Sequence, residues 1–182
     1  MLSNLPRFLQ KIRVFSGFVI AVVYIVFARP EPLTLSIGLA IALVGVLLRA
    51  WAGGHLRKSE KLDVSGPYAH TRNPLYLGTF VIALGFGLAS GSWWLCMLAA
   101  VYIGSIYFPV MNVEAKVLEN RLGDEYKDYA AYVPILFPRL SPWKKSDRTF
   151  DFQIYLKNGE YNAAIGLAAA AAILFAKMIY LT

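Results

Sequence analysis

The chain has one cysteine, two histidines and few charges for its length. The lone Cys96 cannot close an internal disulfide, and inside an apolar run it reads as a small buried hydrophobe. Two histidines and scattered carboxylates supply no ligand spacing for a metal. No Gly-x-Ser-x-Gly, phosphate-binding loop or Cys-His pair points to nucleophilic or phosphoryl chemistry. Internal repeats and low-complexity linkers are missing, and so is the alternating pattern of a lipid-facing barrel strand. Charged residues make up 16% of the 182 residues and apolar ones 58%, whereas soluble domains are about a quarter charged. These proportions predict an all-α integral membrane protein, one domain over residues 1–182.

The apolar runs divide into four to five spans, of which Leu33–Ala52 is clearly long enough for a bilayer and Val14–Ala28 is short. Two lie within residues 14–52, as Val14–Ala28 and Leu33–Ala52. A loop at 53–74 leads into a helical hairpin at 75–111, made of Leu75–Ala89 and Trp93–Met111. A polar segment at 112–160 separates the hairpin from a last span within 161–182. Inside that polar segment the fourth helix is expected to continue to Gly123, followed by a short helix Asp124–Tyr132 that Pro134 stops. Val133–Pro142 holds three prolines and reads as an extended strap. Gly85 and Gly87 would permit close helix approach, and the Ala168–Ala172 run with Gly166 offers a small-residue packing face.

Sixteen of the 18 Lys and Arg residues fall on one side of this arrangement; Arg29 and Lys177 are the exceptions. The positive-inside rule then places the N-terminus and both polar segments in the cytoplasm, with Thr182 outside. The basic flank Met1–Arg13 reads as the lead into the first span rather than as a removed leader. A net charge of +7 is accounted for by basic residues next to an anionic leaflet, without nucleic acid.

Two polar blocks flank the hairpin. The first is Gly66-Pro67-Tyr68-Ala69-His70-Thr71-Arg72-Asn73-Pro74-Leu75-Tyr76-Leu77-Gly78. Asn before Pro is a good helix start, yet Tyr68, His70, Arg72 and Tyr76 crowd the same boundary beyond what a helix start needs. The second block runs from Glu114 and Leu118 through Gly123-Asp124-Glu125-Tyr126 and Tyr129 to Val133-Pro134 and Pro138. Glu114 follows a long apolar run, where a carboxylate is costly unless it has a use. Histidine is a residue type suited to proton transfer, which makes His70 a candidate base. If the hairpin crosses and returns, both blocks share one membrane face. Glu114, Arg72 and His70 are the catalytic candidates.

With these residues in place, the chain resembles the isoprenylcysteine carboxyl methyltransferase family, within the wider group of membrane methyltransferases that includes phospholipid methyltransferases. The likeness runs from Lys58 to Pro138 and rests on both blocks together. It implies S-adenosylmethionine as methyl donor at the cytoplasmic face, and a lipid-like or prenylated acceptor entering from the bilayer, with no nucleic acid and no metal. It also implies cofactor contacts at Lys61, Leu62, Tyr68, Asn73, Pro74, Leu75, Tyr76, Glu114 and Tyr126. Three positions depart from the family pattern. Asn73 stands where His is usual, Ala115 where a second acid often follows, and Val110 where prenylcysteine enzymes carry an Arg. His70 or Arg72 is left to supply that charge.

Two other readings stay open. Membrane sterol and steroid reductases share a similar Asn-Pro-x-Tyr arrangement but bind NADPH. A scaffold that keeps the fold without activity would bind neither cofactor.

Overall fold

In a computed structural model the described residues are 5–57 and 62–181, and the candidate contact Lys61 lies outside them. The order is α1 (Leu5–Phe27), α2 (Pro32–His55), a 3-10 turn (Gly66–Ala69), α3 (Pro74–Ala89) and α4 (Trp93–Tyr102). A π-helical turn (Ile103–Tyr107) joins α4 to α5 (Phe108–Leu122), and α6 (Asp124–Tyr132), α7 (Phe152–Asn158) and α8 (Tyr161–Leu181) complete it. The protein is an all-α membrane protein. Pro32–His55, Trp93–Leu122 and Tyr161–Tyr180 are long and apolar enough to cross a membrane, and Phe15–Phe27 and Pro74–Ala89 are shorter apolar helices.

Local chemistry sets most of these ends. Pro32 and Pro74 each open their helix at a position where a missing N–H costs nothing. Gly123 ends α5 with a φ of 58°, a backbone state that a side chain would strain. Asp151 starts α7 by accepting from the amides of Gln153 and Ile154 at 2.9 and 3.2 Å.

The tightest packing joins α2 to α3, which run antiparallel with backbone against backbone. A Cβ on Gly45 would lie 2.6 Å from the Gly78 carbonyl, and one on Gly78 would lie 2.8 Å from the Gly45 carbonyl. A Cβ on Gly85 would lie 2.6 Å from the Gly38 carbonyl, so the contact repeats along the pair. Small residues let apolar helices approach until dispersion replaces the missing hydrophobic drive. The same device was expected on α8, but Gly166 has open space where its Cβ would stand. The small-residue run of α8 therefore makes no such close crossing at that glycine.

Two apolar cores sit at opposite ends of the α2–α3 pair. One gathers Ala28, Leu35, Ala89, Leu95 and Leu174 near the connections of α1 to α2 and α3 to α4. The other gathers Tyr126, Tyr129 and Val133 with Leu62, Ala115, Leu118 and Trp143. At the first end, Lys177 of α8 donates to the carbonyls of Ile25 and Val26 at 2.8 and 2.6 Å, closing the last turn of α1. Lys177→Met should therefore lower stability by about 1–2 kcal/mol, read as an earlier melting transition in detergent.

The π turn interrupts the longest helix where Tyr107 enters an aromatic cluster. Its ring meets Tyr76 at 5.4 Å, Phe80 at 5.6 Å and Tyr102 at 5.9 Å, all edge to face. π turns occur often at functional positions. Nothing in Ile103-Gly104-Ser105-Ile106-Tyr107 announces one.

Candidate functional site

The first polar block is laid against the proline-rich strap, one hydrogen bond after another. The Arg72 amide donates to the Pro134 carbonyl at 2.9 Å, the Asn73 side chain to Ile135 at 2.9 Å, and Thr71 Oγ1 to Leu136 at 2.9 Å. Arg139 and Trp143 donate their amides to the carbonyls of His70 and Ala69, each at 3.0 Å. Tyr129 of α6 adds its hydroxyl to the Tyr68 carbonyl at 2.7 Å. Pro134 suits this role, since it supplies a carbonyl acceptor while having no N–H to satisfy. Thus the strap fixes the backbone of residues 68–73, and both blocks become one structure.

Three cavities follow in sequence behind that structure. The first, of about 300 Å³, lies between residues 56–73 and the α5–α6 corner. Its walls include Arg57, Leu62, Asp63, Tyr68, Arg72, Asn73, Glu114, Arg121 and Tyr126. The second, of about 590 Å³, shares Tyr68, Arg72, Asn73 and Glu114 with the first and adds Pro74, Leu75, Tyr76, Tyr107, Arg49 and Glu160. The third, of about 250 Å³, is nearly all apolar, is lined by α1, α3, α4 and α8, and shares Thr79 and Tyr107 with the second.

Most of the candidate residues meet at the wall between the first two cavities. Glu114 Oε1 accepts from the Tyr76 hydroxyl at 2.9 Å, which joins α5 to α3 across the second cavity. Arg72 reaches Tyr126 Oη at 3.5 Å, while its buried Nε has no hydrogen-bond partner. The Tyr68 hydroxyl is also buried without a partner. Burial pushes that hydroxyl well above the ordinary tyrosine range, so it stays a neutral donor. Asp63 accepts from the Arg57 amide at 2.7 Å and from Arg148 at 2.9 Å. Burial nonetheless raises its carboxyl above the usual range, against the pull of those two partners.

His70 is placed elsewhere. Its Nδ1 lies 2.8 Å from the Arg139 carbonyl, within the strap contacts, and it lines none of the three cavities. The Asn73 side chain also departs from its expected role. It stands at the N-cap of α3 but makes no cap bond, because it is committed to Ile135. Leu75 contributes its carbonyl, which accepts from Arg49 at 3.3 Å.

The sequence reading missed Arg49 and Glu160 as site residues. Arg49 counted only toward the charge bias, and Glu160 fell in the polar segment. They pair at 2.7 Å across α2 and the start of α8. Gly53 is the enabling signal, since a Cβ there would lie 2.5 Å from the Glu160 side chain. Among the described residues, no group of three or more His, Cys, Asp or Glu side chains could hold a metal ion.

A family model described as phospholipid methyltransferase matches residues 35–125, from α2 into α6. The chain belongs to that family. Among curated relatives, this phospholipid methyltransferase family member is 34% identical over 116 residues to a nickel-cobalt-cadmium resistance protein of Alcaligenes xylosoxydans xylosoxydans. That match covers 63% of this chain and 52% of the relative. A cobalt-zinc-cadmium resistance protein of Cupriavidus metallidurans is 30% identical over 116 residues, covering 63% and 53%. The protein-S-isoprenylcysteine O-methyltransferase of Schizosaccharomyces pombe is 30% identical over 81 residues, covering 44% and 34%. The matches thus span about half the length of the first two relatives and about a third of the yeast one. No solved structure matches the chain.

Proposed function

We propose that this protein transfers a methyl group from S-adenosylmethionine to a lipid-like acceptor at the cytoplasmic face of a membrane. The acceptor is a carboxylate, such as the α-carboxyl of a prenylated cysteine. The observation that carries this reading is the wall formed by Tyr68, Arg72, Asn73 and Glu114, which belongs to two cavities at once. One cavity carries charged side chains of both signs, Arg57, Asp63, Arg72, Glu114 and Arg121, among apolar ones. The other adjoins an apolar chamber inside the bundle through Thr79 and Tyr107. Such a wall suits two substrates of opposite solubility that must react across it.

The first cavity fits the donor. At about 300 Å³ it reaches the lower end of the range of ligand pockets, about 300–1,000 Å³. Glu114 would hold the cationic part of the molecule, and Arg57 and Arg121 its carboxylate. The buried Tyr68 hydroxyl supplies a donor that the protein itself leaves unused. When bound, the donor supplies a methyl group on a sulfonium. The side chains then have to align the acceptor and keep water out, and no base is needed for a carboxylate. His70 accordingly has no proton to move, in keeping with its place in the strap. The bias of Lys and Arg supports a cytoplasmic site.

Calorimetry on the purified protein in detergent tests the reading, with S-adenosylmethionine, S-adenosylhomocysteine and NADPH titrated separately. Saturable binding of the first two and not of NADPH is the expected result. Binding of NADPH alone would move the protein to the reductases. No binding of any of the three would favour the inactive scaffold.

A further inference from the structure

The methyl-donor reading leaves one ion pair in the second cavity without a task. Arg49 Nη2 meets Glu160 Oε2 at 2.7 Å, with the two side chains 25% and 10% exposed. Its Nη1 donates to Thr79 Oγ1 at 2.6 Å and to the Leu75 carbonyl at 3.3 Å. Its Nε is buried with no partner. Taking two charges out of water is rarely repaid by their attraction, and an apolar pair of similar volume serves stability as well or better. A pair kept at the wall of a cavity, with one guanidinium nitrogen unsatisfied, therefore points to a ligand. The flat fork of an arginine is suited to an oxyanion with two oxygens.

Charge decides which ligand. The second cavity is lined by Arg49 and Arg72 against Glu114 and Glu160, and these formal charges cancel. The methyl donor brings one net positive charge beside them. An acceptor with a single negative charge offsets that added positive charge where the two substrates meet. An amine must be neutral to accept a methyl group, and without an anion of its own it would leave the donor's positive charge unbalanced there, which is costly. Position agrees with charge. Thr79, which accepts from Arg49, also lines the apolar chamber, so the guanidinium stands where an apolar tail and a polar head would part.

Resting on the methyl-transfer reading, we propose that Arg49 holds the head of a monoanionic lipid acceptor, with Glu160 as the internal counter-ion that Arg49 engages when the head is absent. The reaction balances without a proton. An acceptor oxygen forms a bond to the methyl carbon as the carbon–sulfur bond breaks. The bonding pair goes to sulfur, leaving a neutral ester and a thioether.

The test supplies tritiated S-adenosylmethionine to the full chain in lipid nanodiscs, with N-acetyl-S-farnesylcysteine as the monoanionic probe and phosphatidylethanolamine as the amine probe. Label is expected on the carboxylate probe. Arg49→Met should raise its KM at least about tenfold while leaving kcat and donor affinity near those of the parent. Arg49→Lys should recover part of that loss. If Arg49→Met melts below the assay temperature, Glu160→Gln decides. That change keeps an acceptor for Arg49 but removes the competing charge, so KM should fall by about threefold. Label on the amine lipid alone, or on neither probe, overturns the proposal. So does an unchanged KM in Glu160→Gln together with either no change or no folding in Arg49→Met. Donor binding measured alongside separates the two levels. Its absence in the parent protein would remove methyl transfer itself, whereas its presence with unchanged KM would remove only the Arg49 assignment.

Discussion

Glu114→Gln is expected to weaken S-adenosylmethionine binding by about thirtyfold or more, the equivalent of about 2 kcal/mol for one charge-assisted contact. The carboxylate sits near the end of a long apolar helix and is steadied by the Tyr76 hydroxyl at 2.9 Å. Glutamine keeps the shape and an acceptor for Tyr76 but removes the negative charge that a sulfonium and an ammonium need nearby. Calorimetry reads the change directly. A melting curve for the same variant should stay close to that of the parent, because the hydrogen bond to Tyr76 survives. Equal affinity in parent and variant would take Glu114 out of the donor site.

Gly85→Val should do more harm, and of a different kind. The Gly85 Cα faces the Gly38 carbonyl closely enough that an added Cβ would stand 2.6 Å from it, and the neighbouring backbone of Ala42 is closer still. The β-carbon of valine and its two γ-methyls would force α2 and α3 apart at this crossing. Overpacking of this sort costs about 3 kcal/mol or more where the obstacle is backbone rather than a movable side chain. The expected result is a protein that elutes as aggregate on size exclusion and shows no cooperative melt. A monodisperse variant with a parent-like melt would mean that the two helices have slack, contrary to the reciprocal contact of Gly45 with Gly78. Function should fail with the fold, since Arg49 on α2 and Thr79 on α3 meet at 2.6 Å next to that contact.

Elements governed by local chemistry were legible. Asp124–Tyr132 could be delimited because a glycine precedes it and a proline follows it closely. The strap was readable from its three prolines, although its partner was not. Helix α7 went unread despite two signals in plain view, Asp151 at its start and Gly159 in the left-handed state at its end. Seven residues inside a polar stretch offer too short a period to register. The site shows the same division. Leu62, Tyr68, Arg72, Asn73, Glu114 and Tyr126 line the first cavity, and Pro74, Leu75 and Tyr76 line the second. Arg49 and Glu160 stayed hidden because their pairing is purely tertiary, made by an approach across Gly53 that no spacing encodes. His70 misled for the opposite reason. Its neighbours in sequence are site residues, but its own ring turns to the Arg139 carbonyl.

The π turn at Ile103–Tyr107 acts as a phase adjuster for everything downstream of it on the same rod. One surplus residue in a helix is worth about 100° of rotation, at 3.6 residues per turn. The azimuth of Glu114 is therefore stored about two helical turns before the residue itself. A lineage that trimmed one residue there would keep every side chain of both blocks and still point its carboxylate at the wrong neighbour. Swapping segments between relatives is in this sense a matter of clocking as well as of residue identity.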